Sequence, residues 1–315
     1  MGEQVLTLGL ATEEEFLPLD SNIFISQSKA QGLNQPFSDQ RSVVAKRYQD
    51  AVANDKPSMA EGMIQRAQNQ GIQADYLVAD AWFGTKRMVD VAISQGLTGI
   101  FRMKKGQQKF TAQLIHDSYQ QQDLNLKERY HKIVKSQWRK VAGLPWKACS
   151  IKAEMDLNTD QGQPARKVGV KLLFVRGLKT KEGQTPGRKD WAVFLTTDAT
   201  MSMSKMLEVY ALRWSIEVYF KEAKQHLGFL KEQTVSFASH IASIHLTAIR
   251  YLVLVHAKNK SKSANPASVR RQINDQMNLL SMAGRLWQMF RTVIQGALNE
   301  LSAEFDVMGV LKKNR

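Results

Sequence analysis

The chain has 315 residues, 43% of them hydrophobic, with 44 Lys plus Arg against 29 Asp plus Glu, a formal charge of +15 and a pI near 9.8. That apolar content should build a globular core, and a field of this sign gathers polyanions, so nucleic acid is the first partner to weigh against a chain that is merely basic. Cys149 is the only cysteine, which excludes an intrachain disulfide and a CxxC metal site and fits a reducing cytoplasm.

The opening residues, MGEQVLTLGLATEEEF, show neither an export signal nor a myristoylation site. In the C-terminal half the longest apolar run, Tyr251 to Val255, is far below the ~20 residues that cross a bilayer. A soluble, cytoplasmic protein with no membrane partner is expected. VLTLGLAT and FLPLDSNIFIS read as two strands. From about Lys29 to Lys56 the composition is loop-like, with Gly32, Asn34, Pro36 and Pro57 as breakers. A helix is predicted at about Ser58 to Gln70, a strand at Tyr76 to Ala79, a helix at about Thr85 to Gln95 ended by Gly96, and a strand at Gly99 to Met103. This alternation is that of a layered α/β sheet.

Residues 106 to 190 break the alternation and read as a separate strand-rich insertion with SIKAEMDL, KVGVKLLFVRG and, at its far edge, DWAVFLTTD. Positions 127 to 189 hold 16 Lys plus Arg and 5 Asp plus Glu, or +11 of the total charge. That charge is interleaved with Tyr130, Trp138, Trp146 and Phe174, a pattern that favours a nucleic-acid-facing surface over a solvated lysine face. One long helix is predicted from Met203 to about Leu230, and further helices at 238 to 259 and 266 to 303, divided by the loop KSANP. The expected organisation is a core in two parts, 1–105 and 191–235, interrupted by the basic insertion 106–190 and followed by a helical region, 236–315.

Within the long helix, Tyr210, Arg213, Glu217 and Lys224 fall on one arc at ~100° per residue, beside an apolar stripe of Leu212, Ile216, Tyr219, Ala223 and Leu227. Such a row could hold a phosphate backbone while the carboxylate binds a metal ion at the scissile bond. Its ordinary alternative is a solvated face with an i,i+4 Arg213–Glu217 pair. Asp80, in YLVADAWFG, stands just beyond a strand, where ligand-binding residues of α/β sheets collect. Its ordinary alternative is a turn or helix cap. Lys221 and His226 flank the row, as backbone contacts or plain surface.

The pairing of YLVADAWFG with Y-x2-R-x3-E-x6-K resembles the DDE transposases of the insertion-sequence-four family, whose late signature is named YREK. Every signature position matches, and FLPLD, GIFRMKKG and the 136 residues between Asp80 and Glu217 are similar to that family's arrangement. The resemblance runs from about residue 5 to 255. It implies an α/β, ribonuclease H-like core interrupted by a β-rich insertion, with Asp80 and Glu217 as the second Asp and the Glu of the catalytic, metal-binding triad. It also implies that Tyr210, Arg213 and Lys224, with Lys221 beside them, contact DNA. Two hydrated divalent ions would act at the phosphodiester; hard oxygen ligands select Mg²⁺, with Mn²⁺ as substitute. The implied partners are double-stranded DNA, namely transposon terminal inverted repeats and target DNA, and a second copy in a synaptic homodimer. Trp191 is a candidate to stack on a displaced base, with a core tryptophan as its alternative.

The family's first Asp falls ahead of the region matching LTLGLATEEEFLPLD, so an N-terminally truncated member is expected, with Asp20 the only nearby strand carboxylate. A chain holding two of three carboxylates should cleave little or not at all. A non-catalytic DNA-binding remnant that inhibits full-length transposase is the rival reading, and a host nuclease of similar fold is a third. The first expects no Mg²⁺-dependent nicking, and the second expects cutting without preference for a terminal repeat.

Overall fold

The computed structural model describes residues 4–26, 41–114, 117–141, 143, 146–157, 166–177, 190–233, 236–279 and 282–301. Strands β1 (Gln4–Ala11) and β2 (Phe16–Phe24) pair antiparallel as a two-stranded sheet. Their turn is closed by Thr12, whose hydroxyl accepts the N–H groups of Glu14 and Glu15. Helix α1 (Val43–Ala53) starts at the Ser42 cap and α2 (Lys56–Asn69) at the Asp55 cap. Sequence reading took the stretch to Lys56 as loop. Residues 27–40 lie outside the described residues, but 43–53 are helical, and Pro57 starts α2 instead of breaking the chain. Proline is tolerated in a first turn because its missing N–H has no intrahelical partner there. Asp20 of β2 is ion-paired to Arg47 of α1 at 2.6 Å and to Arg66 of α2 at 2.9 Å, which binds both helices to the hairpin.

Strand β3 (Tyr76–Ala79), helix α3 (Lys86–Ser94) and strand β4 (Thr98–Met103) form a strand–helix–strand unit whose strands are parallel. Met88, Val89, Val91 and Ala92 bury one face of α3. After β4 come β5 (Lys109–Leu114), β6 (Asp117–Asn125), a short helix α4 (Leu126–Lys132), β7 (Arg139–Lys140), β8 (Lys147–Asp156), β9 (Lys167–Arg176) and β10 (Trp191–Thr196). They are not a separate sheet. Strand β10 pairs antiparallel with both β4 and β9, giving one sheet in the order β3-β4-β10-β9-β8-β5-β6 with β7 beside β8. The insertion's strands thus continue the core sheet, and a mixed α/β architecture results. Sequence patterning did not single out β5, β6 and α4: β5 alternates Phe110, Ala112 and Leu114 with polar residues but is short, and β6 is polar over most of its length.

Alternation along β8, β9 and β10 sends side chains into two cores. Met155, Leu172, Phe174 and Val193 meet α3 residues on one face, and Leu173, Val175 and Phe194 meet Met206 and Val209 on the other. The latter two belong to helix α5 (Met203–Ala211), which is followed by α6 (Trp214–His226). The single helix predicted from Met203 to Leu230 is therefore two. At the junction Ser215 N–H and Ile216 N–H reach back only three residues, to Leu212 and Arg213 carbonyls, and the Ser215 hydroxyl donates to Leu212 O at 2.6 Å. Leu212 and Arg213 keep right-handed helical angles, so the junction is a tightened turn. The deep part of the predicted stripe, Tyr219, Ala223 and Leu227, is buried, and Tyr219 lies 5.5 Å from Phe16 of the hairpin.

A second compact unit begins at Ile249, within helix α7 (Phe237–Ser261). It contains α8 (Pro266–Leu279) and α9 (Met282–Leu301), where one helix was predicted over 266–303; positions 280–281 and 302–303 lie outside the described residues. By length and composition α7 is apolar enough to cross a membrane, a test that core helices of soluble proteins also pass. It carries His240, His245, Arg250 and His256.

Gly84, in the turn after β3, has no room for a side chain, since a Cβ there would sit 2.3 Å from the Arg102 carbonyl oxygen of β4. Gly84→Ala should lower the urea unfolding free energy by about 1–3 kcal/mol through overpacking. Gly106→Ala, in open space, should change it by less than about 0.5 kcal/mol. Burial pushes the Cys149 thiol up to about 11. Its contribution to folding is full below the unfolded value of about 8.5 and is lost as pH rises through about 11. At pH 8 the native thiol should react with a disulfide reagent roughly a hundredfold more slowly than the urea-unfolded chain.

Candidate active site

Asp80 is the first residue beyond β3, at the carboxyl end of the parallel β3–β4 pair. Its Oδ1 accepts the Trp82 N–H at 2.8 Å, and its carbonyl accepts Phe83 N–H, so the turn that Gly84 closes fixes where the carboxylate projects. The ordinary turn-capping role is therefore present. Helix α3 is capped by Thr85 and not by Asp80.

Tyr210, the penultimate residue of α5, is held by a T-shaped contact with Phe194 of β10 at 4.7 Å. Arg213, in the tightened turn, donates from Nη2 to Glu217 Oε1 at 2.5 Å and lies 5.7 Å from the Tyr210 ring. Burial by itself would lower the Arg213 pKa. The hydrogen bond that it donates to Glu217 and the negative charges of Glu217 and Asp80 outweigh it, and the pKa is raised. Tyr210 is raised as well, first by burial and further by Asp80, against Arg213 and Arg102. The phenol thus stays protonated at neutral pH, and Arg213 stays charged.

Arg213 joins two of the residues singled out in the sequence, Glu217 through its hydrogen bond and Tyr210 through its ring, and the charge of Asp80 acts on both Tyr210 and Arg213. Arg102, an exposed position between the buried Phe101 and Met103 of β4, joins them through its charge on Tyr210. Sequence reading missed it, although the alternation in GIFRM placed it on the solvent side of the strand next to β3. Lys221 and Lys224 follow Glu217 along the same helix, one and two turns on. They lie exposed along α6, with Lys224 about 10 Å beyond Glu217 at 1.5 Å per residue and its Nζ 5.7 Å from the Phe220 ring. Trp191 is elsewhere: it is buried in the sheet core, stacked on Tyr130 at 4.1 Å and 4°, with Lys105 Nζ 4.1 Å from its ring.

The aromatics expected to line a nucleic-acid face are core residues. Phe174 is fully buried, Tyr130 and Trp138 pack on the same core, and Trp146 packs on the other. Some of the basic charge is structural too. Arg129 is buried and donates to the carbonyls of Phe110 and Gln122, Arg166 pairs with Asp90 of α3, and Lys171 donates to Met201 O. Lys127, Lys132, Arg139, Lys147, Lys152 and Lys167 are exposed. Lys179, Lys181, Arg188 and Lys189 lie outside the described residues.

Among the described residues no three His, Cys, Asp or Glu side chains are grouped to hold a metal ion. Asp20 is committed to Arg47 and Arg66. Asp80 and Glu217 are hard oxygen donors of the kind Mg²⁺ takes, and their number suits one such ion in place of a two-ion cage. The Arg213–Glu217 pair is partly exposed on both sides, at 23% and 41%, so its contribution to stability is screened. A double-mutant cycle with Arg213→Ala and Glu217→Gln should give a coupling below about 1 kcal/mol in urea unfolding. A larger coupling would mean that the pair is structural.

A family model described as the transposase DDE domain matches residues 37–253. No curated protein matches the chain. Members of this family act on DNA and generally depend on divalent metal ions. The match covers more than two thirds of the chain, from the helices on the hairpin through β3, β4 and β10 to the turn and helix that carry Arg213 and Glu217, and the chain belongs to the DDE-domain transposases.

Proposed function

We propose that this transposase acts at transposon ends through Asp80 and Glu217, on a ribonuclease H-like core of the insertion-sequence-four type, hydrolysing a phosphodiester and transferring the strand to target DNA. The reading is supported by two carboxylates with 136 residues between them in sequence, Glu217 bonded to Arg213 and Asp80 acting on it by charge. Asp80 and Glu217 are the ligands for Mg²⁺, or Mn²⁺ in its place. When bound, the metal supplies activation of the attacking water or 3′-hydroxyl and stabilisation of the leaving oxygen.

The other residues handle the phosphates. Arg213, held charged beside Glu217, is placed to move its guanidinium onto a phosphate oxygen, which frees the carboxylate as the negative charge arrives. Tyr210, kept protonated, donates to the same backbone. Lys221 and Lys224 continue that contact along α6, where each neutralised phosphate adds affinity that salt weakens. A homodimer in the synaptic complex is the expected assembly, supported by the solvent-exposed apolar residues Leu286, Met289, Phe290 and Val293 on α9.

A second reading has its own support. Two carboxylates without a third beside them, among the described residues, hold a divalent ion weakly; on this reading the chain alone binds DNA without cutting it and inhibits an intact transposase by sharing its dimer. One experiment separates the two. On the first reading, purified protein with Mg²⁺ nicks labelled terminal-repeat DNA at the low rate that two carboxylates allow, and Glu217→Ala abolishes the nicking while leaving binding. Absence of nicking, with binding that falls steeply between 50 and 200 mM salt, would favour the second reading. Sedimentation of the DNA complex as a single copy would remove the dimer from both.

A further inference from the structure

Strand register collects cations into one row at an end of the large sheet. Lys140 of β7 stands opposite Lys147 of β8, and Lys147 stands opposite Arg176 of β9. Arg176 stands opposite Trp191 of β10. Beyond the pair of Val193 with Met103, the same register brings Trp191 to Lys105, whose Nζ lies 4.1 Å from its ring. Residues opposite one another share a sheet face, so all four cations belong to the face that carries Trp191, Val193 and Phe174. The Arg176 guanidinium lies 4.1 Å from the ring of Trp138, which packs on the same core. Among the described residues, Lys140, Lys147 and Arg176 are in no ion pair. Like charges directly opposite destabilise a sheet. Lysine on an edge strand guards against edge pairing, but that accounts for Lys140 alone, because Lys147 and Arg176 stand on strands paired on both sides. The row is poor as a sheet, and a polyanion laid along it removes the repulsion.

The row also has the length and place of a duplex contact. Strand steps of about 4.8 Å from β4 to β7 make it about 19 Å long, roughly half a helical turn of DNA. Ala79 is level with Phe101 in the β3–β4 pair, so Asp80 is level with Arg102, and Lys105 stands about 10 Å further on at ~3.3 Å per residue. From there the row leads away from β3. We propose that Lys105, Arg176, Lys147 and Lys140 form a phosphate track for duplex DNA, holding the stretch roughly three to eight base pairs from the bond that Asp80 and Glu217 act on. The inference rests on the DNA-cleaving reading above and adds where the uncut duplex lies. Tyr210 rests on Phe194, on the other face of the sheet, so the track is separate from the contacts of Tyr210 and Arg213. The duplex passes the carboxyl end of β4 and crosses the face that α3 covers. Lysine and arginine on phosphates set position without reading bases, so the track holds any sequence.

The test uses the full chain in EDTA, so that no cleavage intervenes, and measures Kd against salt on a labelled duplex of about 20 base pairs. Arg176→Gln, Lys147→Gln and Lys140→Gln should each lower the salt slope by about 0.9 and lose roughly 8-fold in affinity at about 0.1 M salt. The losses should be the same on a duplex of unrelated sequence. Lys167→Gln, at the far end of β9 opposite Asp156, should leave the slope unchanged. Because the row carries like charges, Lys147→Gln should unfold at or above the wild-type urea midpoint. On terminal-repeat DNA, ethylation of single phosphates roughly three to eight base pairs from the nicked bond should interfere with wild-type binding, and Lys147→Gln should weaken that interference there and nowhere else. A slope that the three variants leave unchanged, or one that Lys167→Gln lowers as much, overturns the proposal; the latter means a diffuse positive field. If wild type binds and nicks DNA in a Glu217-dependent way while the three variants keep its slope, only this inference fails. If wild type binds no DNA, the DNA-cleaving reading fails with it.

Discussion

Strand β4 is hydrogen-bonded on both edges, parallel to β3 and antiparallel to β10, and each part of the site is positioned by it. Ile100 and Phe101 are fully buried on its opposite faces, so the strand can neither slide nor turn without exposing one core. Its parallel partner delivers Asp80 at the carboxyl edge, and its antiparallel partner supplies Phe194, against which Tyr210 rests. Its own continuation gives Arg102 and Lys104. A one-residue slip in this pairing would send every side chain of the strand to the wrong face.

The second constraint is helical. Had α5 and α6 been one regular helix, Arg213 would have lain on the same straight cylinder as Tyr210 and Glu217. The three-residue hydrogen bonds at 212–216, with the Ser215 hydroxyl competing for the Leu212 carbonyl, tighten that turn. Tyr219 then packs against Phe16 of the hairpin, while Tyr210 remains on the sheet. Arg213 stands at the seam, charged, paired with Glu217 and under the charge of Asp80. Such a cluster contributes little to stability, because its groups are partly exposed. Its value lies in holding acidic and basic groups ready beside each other until a phosphate redistributes them.

The ordinary and the chemical readings of these residues turned out to be compatible. Asp80 does cap its own turn, and Arg213 does form an i,i+4 pair with Glu217. Neither role accounts for the charge of Asp80 acting on both Arg213 and Tyr210, which requires the strand end and the helix junction to be neighbours. The basic segment 127–189 went the other way. Its aromatics and several of its cations are used to build the sheet core and its edges, so a run of positive charge in sequence was only in part a positive surface.

The sequence by itself determined what local chemistry can write. Strand and helix periods marked β1 to β4, β8 to β10 and the helical character of the C-terminal region, and the spacing of Tyr210, Arg213, Glu217 and Lys224 marked the signature segment, though not its division into two helices. Asp80 was legible because its position after an apolar strand and before a turn is a local feature. The helix at 43–53 was hidden by neighbouring Gly and Pro, whose effect depends on whether they stand inside an element or at its first turn. Only the tertiary structure decided that the inserted strands join the core sheet, that Trp191 is buried against Tyr130, and that the charges of Arg102 and Asp80 both act on Tyr210. Those facts depend on pairings between residues tens to more than a hundred positions apart, and a pattern with a period of two or 3.6 residues carries no information about which distant strand or helix end completes it.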